Sequence, residues 1–229
     1  MRDEILSYHE MVGREGRSLQ AGMNYHVRPG YSILLMSTRR NAPYNDRWDG
    51  DRGVLIYEGH DAKKERGGPD PKTIDQPLTL PSGTPTANGK FYSAAKRAAT
   101  GGAPPESVRV YEKLDSGVWS DKGMFQLMDA QIVRLGERNV AEFYLRPMPD
   151  STDDETADLS GLPHTRLIPT SVKVEVWKRD RGRCVLCGST HNLHYDHDLP
   201  FSKGGTSLTA ENVRILCAKH NLQKSDRIE

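Results

Sequence analysis

The sequence predicts an α+β protein in two parts. An N-terminal region of many short strands forms a curved sheet or barrel with flanking helices, and a small C-terminal module reads as strand, loop, strand and helix. Three observations carry this. Short β-branched or aromatic runs bounded by Gly, Pro, Asn or Asp recur through residues 1–147. Two pairs of metal-ligating side chains bracket the core of residues 171–229. Residues 148–170 between them are acidic, rich in Ser, Thr and Pro, and aperiodic, which is the composition of a linker.

Taken in order, the chain opens with a predicted helix near Asp3–Met11. Strands follow at Tyr31–Met36, Gly53–Tyr57, Ser107–Tyr111, Gly123–Asp129 and Val140–Leu145. Lys90–Ala99 reads as a helix opened by a turn at Asn88-Gly89. Val172–Asp180 reads as a helix despite its valines. Leu193–Leu199 alternates as a strand and stops at Pro200, Lys203-Gly204-Gly205 is a turn, Asn212–Leu216 is a second strand, and Ala218–Arg227 is a helix.

Bulk composition limits the function classes. A hydrophobic content of 35% against 28% charged residues fits a polar globular chain, with no apolar run long enough for a membrane span. The start, MRDEILSYHEMVGREG, lacks the apolar core of a secretion signal, so a cytoplasmic protein is expected, without a membrane partner. Net charge is +1, but Pro149–Asp158 holds five acids and no base, so the flanking regions are more basic than the average. All three cysteines fall between 184 and 217. That odd count and clustering point to a metal and away from a disulfide framework.

Cys184-x-x-Cys187 and Cys217-x-x-His220 supply four soft or borderline ligands from two tight turns, the donor set of tetrahedral zinc. Four protein ligands leave no open position, so the zinc is expected to be structural. In modules this small it contributes on the order of 10 kcal/mol to folding. His191 and His194 are expected on the surface, outside the ligand set.

The segment between the zinc pairs resembles the HNH (ββα-metal) endonuclease family in its zinc-containing branch. The matching residues are Cys184-x-x-Cys187-Gly188, Asp196-His197-x-x-Pro200, Lys203-Gly204-Gly205, Glu211-Asn212 and Cys217-x-x-His220-Asn221-x-x-Lys224. The resemblance implies that His197 is the general base for an attacking water. It implies that Asp196 and Asn221 hold a divalent Mg²⁺ or Mn²⁺ ion, and that Asn212 braces the loop carrying His197. Arg214 and Lys224 are candidate phosphate contacts. Position 220 is His where the family usually has a fourth Cys, and position 221 is Asn where His is frequent.

In the N-terminal region, Tyr44, Asp46, Trp48, Asp49, Asp51, Gly53 and Tyr57 cluster within Pro43–His60. Asp75-Gln76-Pro77-Leu78-Thr79, Asn88-Gly89-Lys90-Phe91 and Val108-Arg109-Val110-Tyr111 follow. Together these resemble the SRA domain, a reader of modified cytosine in DNA. The resemblance implies a pocket for a base rotated out of the duplex, sandwiched by Tyr44 and Tyr57, with Trp48 beside it and Asp46 or Asp49 accepting from the cytosine amine. His60 stands where that family usually has a small residue. Arg39, Arg40, Lys90, Lys96 and Arg97 are candidate phosphate contacts.

The reading is a modification-dependent endonuclease acting on double-stranded DNA with 5-methylcytosine or a related base. One nuclease module has one active site, so cutting both strands requires a homodimer or two successive nicks. Two alternatives remain: an HNH nuclease whose N-terminal domain reads unmodified sequence, and a non-catalytic zinc DNA-binding reader.

Overall fold

The computed structural model describes residues 4–39, 41–148, 168–199 and 204–224. Most of the acidic segment, Arg40, and Pro200 through Lys203 lie outside the described residues. The chain forms two compact units. One comprises 4–17, 112–122 and 168–224, the other 18–111 and 123–148 among the described residues.

The larger unit is a sheet wrapped against one helix. Its strands are β2 (Met23–Arg28), β3 (Tyr31–Met36), β4 (Arg47–Asp49), β5 (Val54–Glu58), most of β6 (Glu106–Asp115) and of β7 (Val118–Leu135), and β8 (Arg138–Pro147). Hydrogen-bonded neighbours run β2-β3-β6-β7-β8-β5-β4. Of the expected curved sheet or barrel, the described residues show the sheet, with no pairing of β2 with β4 among them. The two short strands β2 and β4, absent from the sequence reading, are its ends.

Helix α2 (Ala87–Ala99) lays Phe91, Ala94 and Ala95 onto Leu34, Tyr57, Val110, Phe125 and Phe143. The i, i+3, i+4 spacing makes that apolar face, and burying Phe91 alone contributes about 2–3 kcal/mol. The helix starts earlier than predicted. Thr86 caps it by accepting from the Gly89 N–H at 3.1 Å, so Asn88-Gly89 form its first turn, not a separate one. A side chain at Gly89 would stand 1.9 Å from the Leu78 carbonyl, and glycine is what lets the two backbones meet.

The second unit contains β1 (Glu4–Ser7), α1 (Tyr8–Glu15), the turn end of the β6–β7 hairpin, α3 (Thr170–Arg179), β9 (Leu193–His197), β10 (Val213–Cys217) and α4 (Ala218–Lys224). Residues 4–7, expected to be helical, are a strand. Glu4–Ser7 pairs with Val118–Asp121 on one side, and Glu4-Ile5 pairs with Leu193-His194 on the other. Tertiary pairing overrides local propensity in so short a run. The helix begins only after Ser7, whose side chain and Glu10 form a reciprocal capping box.

Ile5, Leu114, Ile168, Val172, Val176, Leu193, Tyr195, Val213 and Ile215 form this unit's core. Among them sits a buried charge cluster. Glu112 accepts from Lys122 Nζ at 3.0 Å and from the Thr170 hydroxyl, while Lys173 Nζ donates to Ser120 Oγ at 3.0 Å. Burial pushes the Glu112 carboxyl up, but Lys122, Lys173 and Thr170 outweigh it and hold it below the usual range. Removing this carboxylate strands buried ammonium charge. Glu112→Ala is expected to destabilise the unit by about 3–5 kcal/mol in urea unfolding, and a loss below about 1 kcal/mol would contradict the ion-pair account.

Candidate functional site

The metal-ligand group is built from two turns. The first follows α3, where the Gly188 N–H donates to the Cys184 carbonyl at 2.8 Å. The Val185 N–H donates to the Ile215 carbonyl at 3.0 Å, fixing the turn to β10. The second is the junction of β10 and α4, which carries Cys217 and His220. The four ligand atoms lie within 4.8 Å of one another. Cys187 Sγ is 3.8 Å from Cys217 Sγ, and His220 Nδ1 is 3.4 Å from Cys184 Sγ and 3.3 Å from Cys217 Sγ. A tetrahedron with Zn–S of about 2.3 Å and Zn–N of about 2.0–2.1 Å has edges of about 3.8 and about 3.6 Å, so the cage fits zinc. Burial pushes the Cys184 thiol up, but backbone groups of Cys217, Cys187 and Leu186 and the His220 ring bring it down to about 6, near the thiolate form a metal needs.

Beside that cage, β9 and β10 form an antiparallel hairpin with Asp196 opposite Arg214 and His197 opposite Val213. The end of α3 latches it. Arg179 donates to the carbonyls of Ala210 and Val213 at 2.6 Å each, and Asp180 accepts from the Ile215 N–H at 2.9 Å. Asn212 ties the loop after His197. Its Oδ1 accepts from the Leu199 N–H at 2.8 Å, and its Nδ2 donates to the carbonyls of Leu199 and Thr206 at 3.2 and 2.9 Å.

His197 Nε2 lies 2.9 Å from Ser207 Oγ, on a serine that is fully buried. Sequence reasoning missed Ser207, since a serine after a glycine turn carries no signal of its own. Lys224, a candidate phosphate contact from the sequence, is 1% exposed and donates to Asp196 Oδ2 and the His197 carbonyl. Arg214 is paired with Asp198 at 2.6 Å. Asn221 is half-buried and sits three residues before Lys224, hence on the same side of α4. Lys224 occupies one Asp196 oxygen, and a carboxylate with an amide oxygen is a donor pair a hard divalent ion accepts. His194, expected at the surface, is 4% exposed because β1 covers it, and burial lowers its pKa. His191 is exposed.

In the larger unit the aromatic cluster separates into different environments. Tyr44 is half-buried, and its ring is stacked on His60 with centroids 4.7 Å apart and planes 8° apart. Lys72 Nζ lies 4.2 Å from the Tyr44 centroid. Tyr57 is 1% exposed with its ring in the core, and its hydroxyl meets His60 Nε2 at 2.9 Å. Trp48 packs on the same core, with a buried indole N–H that meets no acceptor among the described residues. Asp46 is buried and accepts from the N–H groups of Ser37 and Glu58 at 3.0 and 3.1 Å. Asp49 accepts from the Arg52 N–H at 3.1 Å in the β4–β5 turn.

The segment Glu58–Asp61 is clamped from beneath. Gln76 donates to the Gly59 carbonyl at 2.6 Å, and Asn88 accepts from the His60 N–H at 2.8 Å while donating to its carbonyl at 2.7 Å. Arg138 bridges Asp61 and Glu58. The Asp-Gln and Asn-Gly motifs thus set the backbone beside Tyr44. Among the candidate phosphate contacts, Arg39, Lys90 and Arg97 are exposed and Lys96 pairs with Asp129 at 2.9 Å.

No protein-family model matches the chain, and no curated protein matches it. Among solved structures it is similar to the SRA domain of SUVH5 in complex with methylated CHH DNA. The identity is 20% and the TM-score 0.45, over 65% of this chain and 89% of that one. The same domain bound to fully hydroxymethylated CG DNA gives 21% identity and a TM-score of 0.43, over 63% and 87%. The modification dependent TagI restriction endonuclease gives 18% identity and a TM-score of 0.42, over 97% of this chain and 76% of that one. No helix among the described residues is long and apolar enough to cross a membrane.

Proposed function

We propose that this chain is a modification-dependent DNA endonuclease, in which residues 171–229 contain an HNH-type catalytic centre and residues 1–147 contain an SRA-like reader of a 5-substituted cytosine. The observation that supports the reading is the β9–β10 hairpin, which carries Asp196 and His197 and has its loop tied by Asn212, beside one four-ligand metal cage. His197 Nε2 is held 2.9 Å from Ser207 Oγ, and the imidazole would take the proton of an attacking water as general base. Asn212 holds the loop that aims this imidazole. A divalent ion at Asp196 and Asn221 would supply positive charge to the scissile phosphate and the leaving 3′ oxygen. Lys224 would yield the Asp196 oxygen to that ion. The partner is double-stranded DNA, and two chains or two successive events would cut both strands.

Matched duplexes carrying cytosine, 5-methylcytosine, 5-hydroxymethylcytosine or glucosylated hydroxymethylcytosine test the proposal when digested with Mg²⁺ or Mn²⁺. Cleavage is expected on at least one modified duplex and not on the unmodified one. Equal cleavage of all four would leave a nuclease that reads unmodified sequence. Binding without cleavage under either ion would leave the non-catalytic reader.

A further inference from the structure

We propose that His60, and not Tyr57, is the second stacking face of the base pocket, so that a flipped base enters between Tyr44 and His60. This rests on the modified-base reading above and names the residue that would make it work. The Tyr57 ring is packed with Leu34, Phe91 and Phe143, and what it sends towards Tyr44 is its hydroxyl. It has no face to offer without dismantling the core. His60 already lies parallel to Tyr44 at 4.7 Å.

The two rings are held unequally. His60 is fixed through its own backbone N–H and carbonyl by Asn88, and at its ring by the Tyr57 hydroxyl. Its ring edge also lies against Gly22, where any side chain would approach Cε1 to 2.6 Å. Tyr44 lies between strands, and its hydroxyl accepts from the Asp61 N–H at a long 3.3 Å. Admitting a base about 3.4 Å thick therefore requires Tyr44 to swing out while His60 stays. The existing ring–ring contact is exchanged for two ring–base contacts. Burial, with Asp61 opposing and Lys72 adding, lowers the His60 pKa to about 4, so its ring is a neutral π-face at working pH.

The test uses the full chain and two substitutions of similar bulk. His60→Phe keeps an aromatic face and His60→Leu removes it. Binding is measured by fluorescence anisotropy on duplexes with one 5-methylcytosine or one cytosine. His60→Leu is expected to lose about 5- to 150-fold in affinity for the methylated duplex, with binding to the unmodified duplex unchanged. His60→Phe is expected to stay within about threefold of the parent on both. Equal affinity of the Leu and Phe variants for methylated DNA overturns the inference while leaving the reader intact. A parent protein with no preference for methylated DNA overturns the reader itself, and this inference with it.

Discussion

Replacing His197 by Ala is expected to lower the rate of DNA cleavage by about 10²–10⁴-fold, the contribution of a positioned general base. Affinity for the modified duplex should be unchanged, since the proposed pocket lies in the other unit. The neighbourhood makes the substitution a clean one. His197 is half-buried, the adjoining loop is tied by Asn212 backbone contacts, and the strand is held by its register with β10. A second substitution separates chemistry from positioning. Ser207→Ala removes the partner of Nε2 without removing the imidazole. Its loss should be smaller and should come with a shifted pH–rate profile, because the tautomer and basicity of His197 change together. Undiminished nicking by His197→Ala would falsify the assignment of the base.

Chelating the cage metal is expected to have the largest effect on structure. Structural zinc supplies about 10–16 kcal/mol to small modules, comparable to or greater than the total stability of an ordinary domain. Removing it should unfold the region around β9, β10 and α4, seen as lost far-UV dichroism and an early thermal transition, and Cys187→Ala should do the same. One zinc per chain should be recovered from the native protein. Metal removal that stops cleavage but leaves the melting curve in place would mean that this ion is catalytic and the structural assignment is wrong.

The sequence made the metal cage legible because ligand spacing is a local property: two x-x pairs declare two turns whatever surrounds them. Motif order also marks Asn212 as a brace for the loop after His197, and its side chain bonds the backbone of Leu199 and Thr206. What could not be read was anything depending on distant partners. Lys224 looked like a surface cation because it lies on a polar helix, yet it is buried against Asp196. Tyr44 and Tyr57 are equivalent as residue types, and only packing separates a half-buried ring from one in the core. Gln76 and Asn88 stand in recognisable motifs, but their grip on residues 59 and 60 appears only in three dimensions. Glu4–Ser7 passed for helix because a four-residue strand has too little pattern to outweigh its neighbours.

That short strand bears on how such a protein could be re-engineered. β1 fills the place between β7 and β9, and Ile5 and Leu114 enter the same core as Val213 and Ile215. A fragment beginning at the acidic segment would leave β9 with an uncovered rim of backbone donors and acceptors, and a hollow where those two side chains belong. Transplanting this unit would therefore mean moving three separated pieces of chain, since a splice at the acidic segment alone leaves two of them behind.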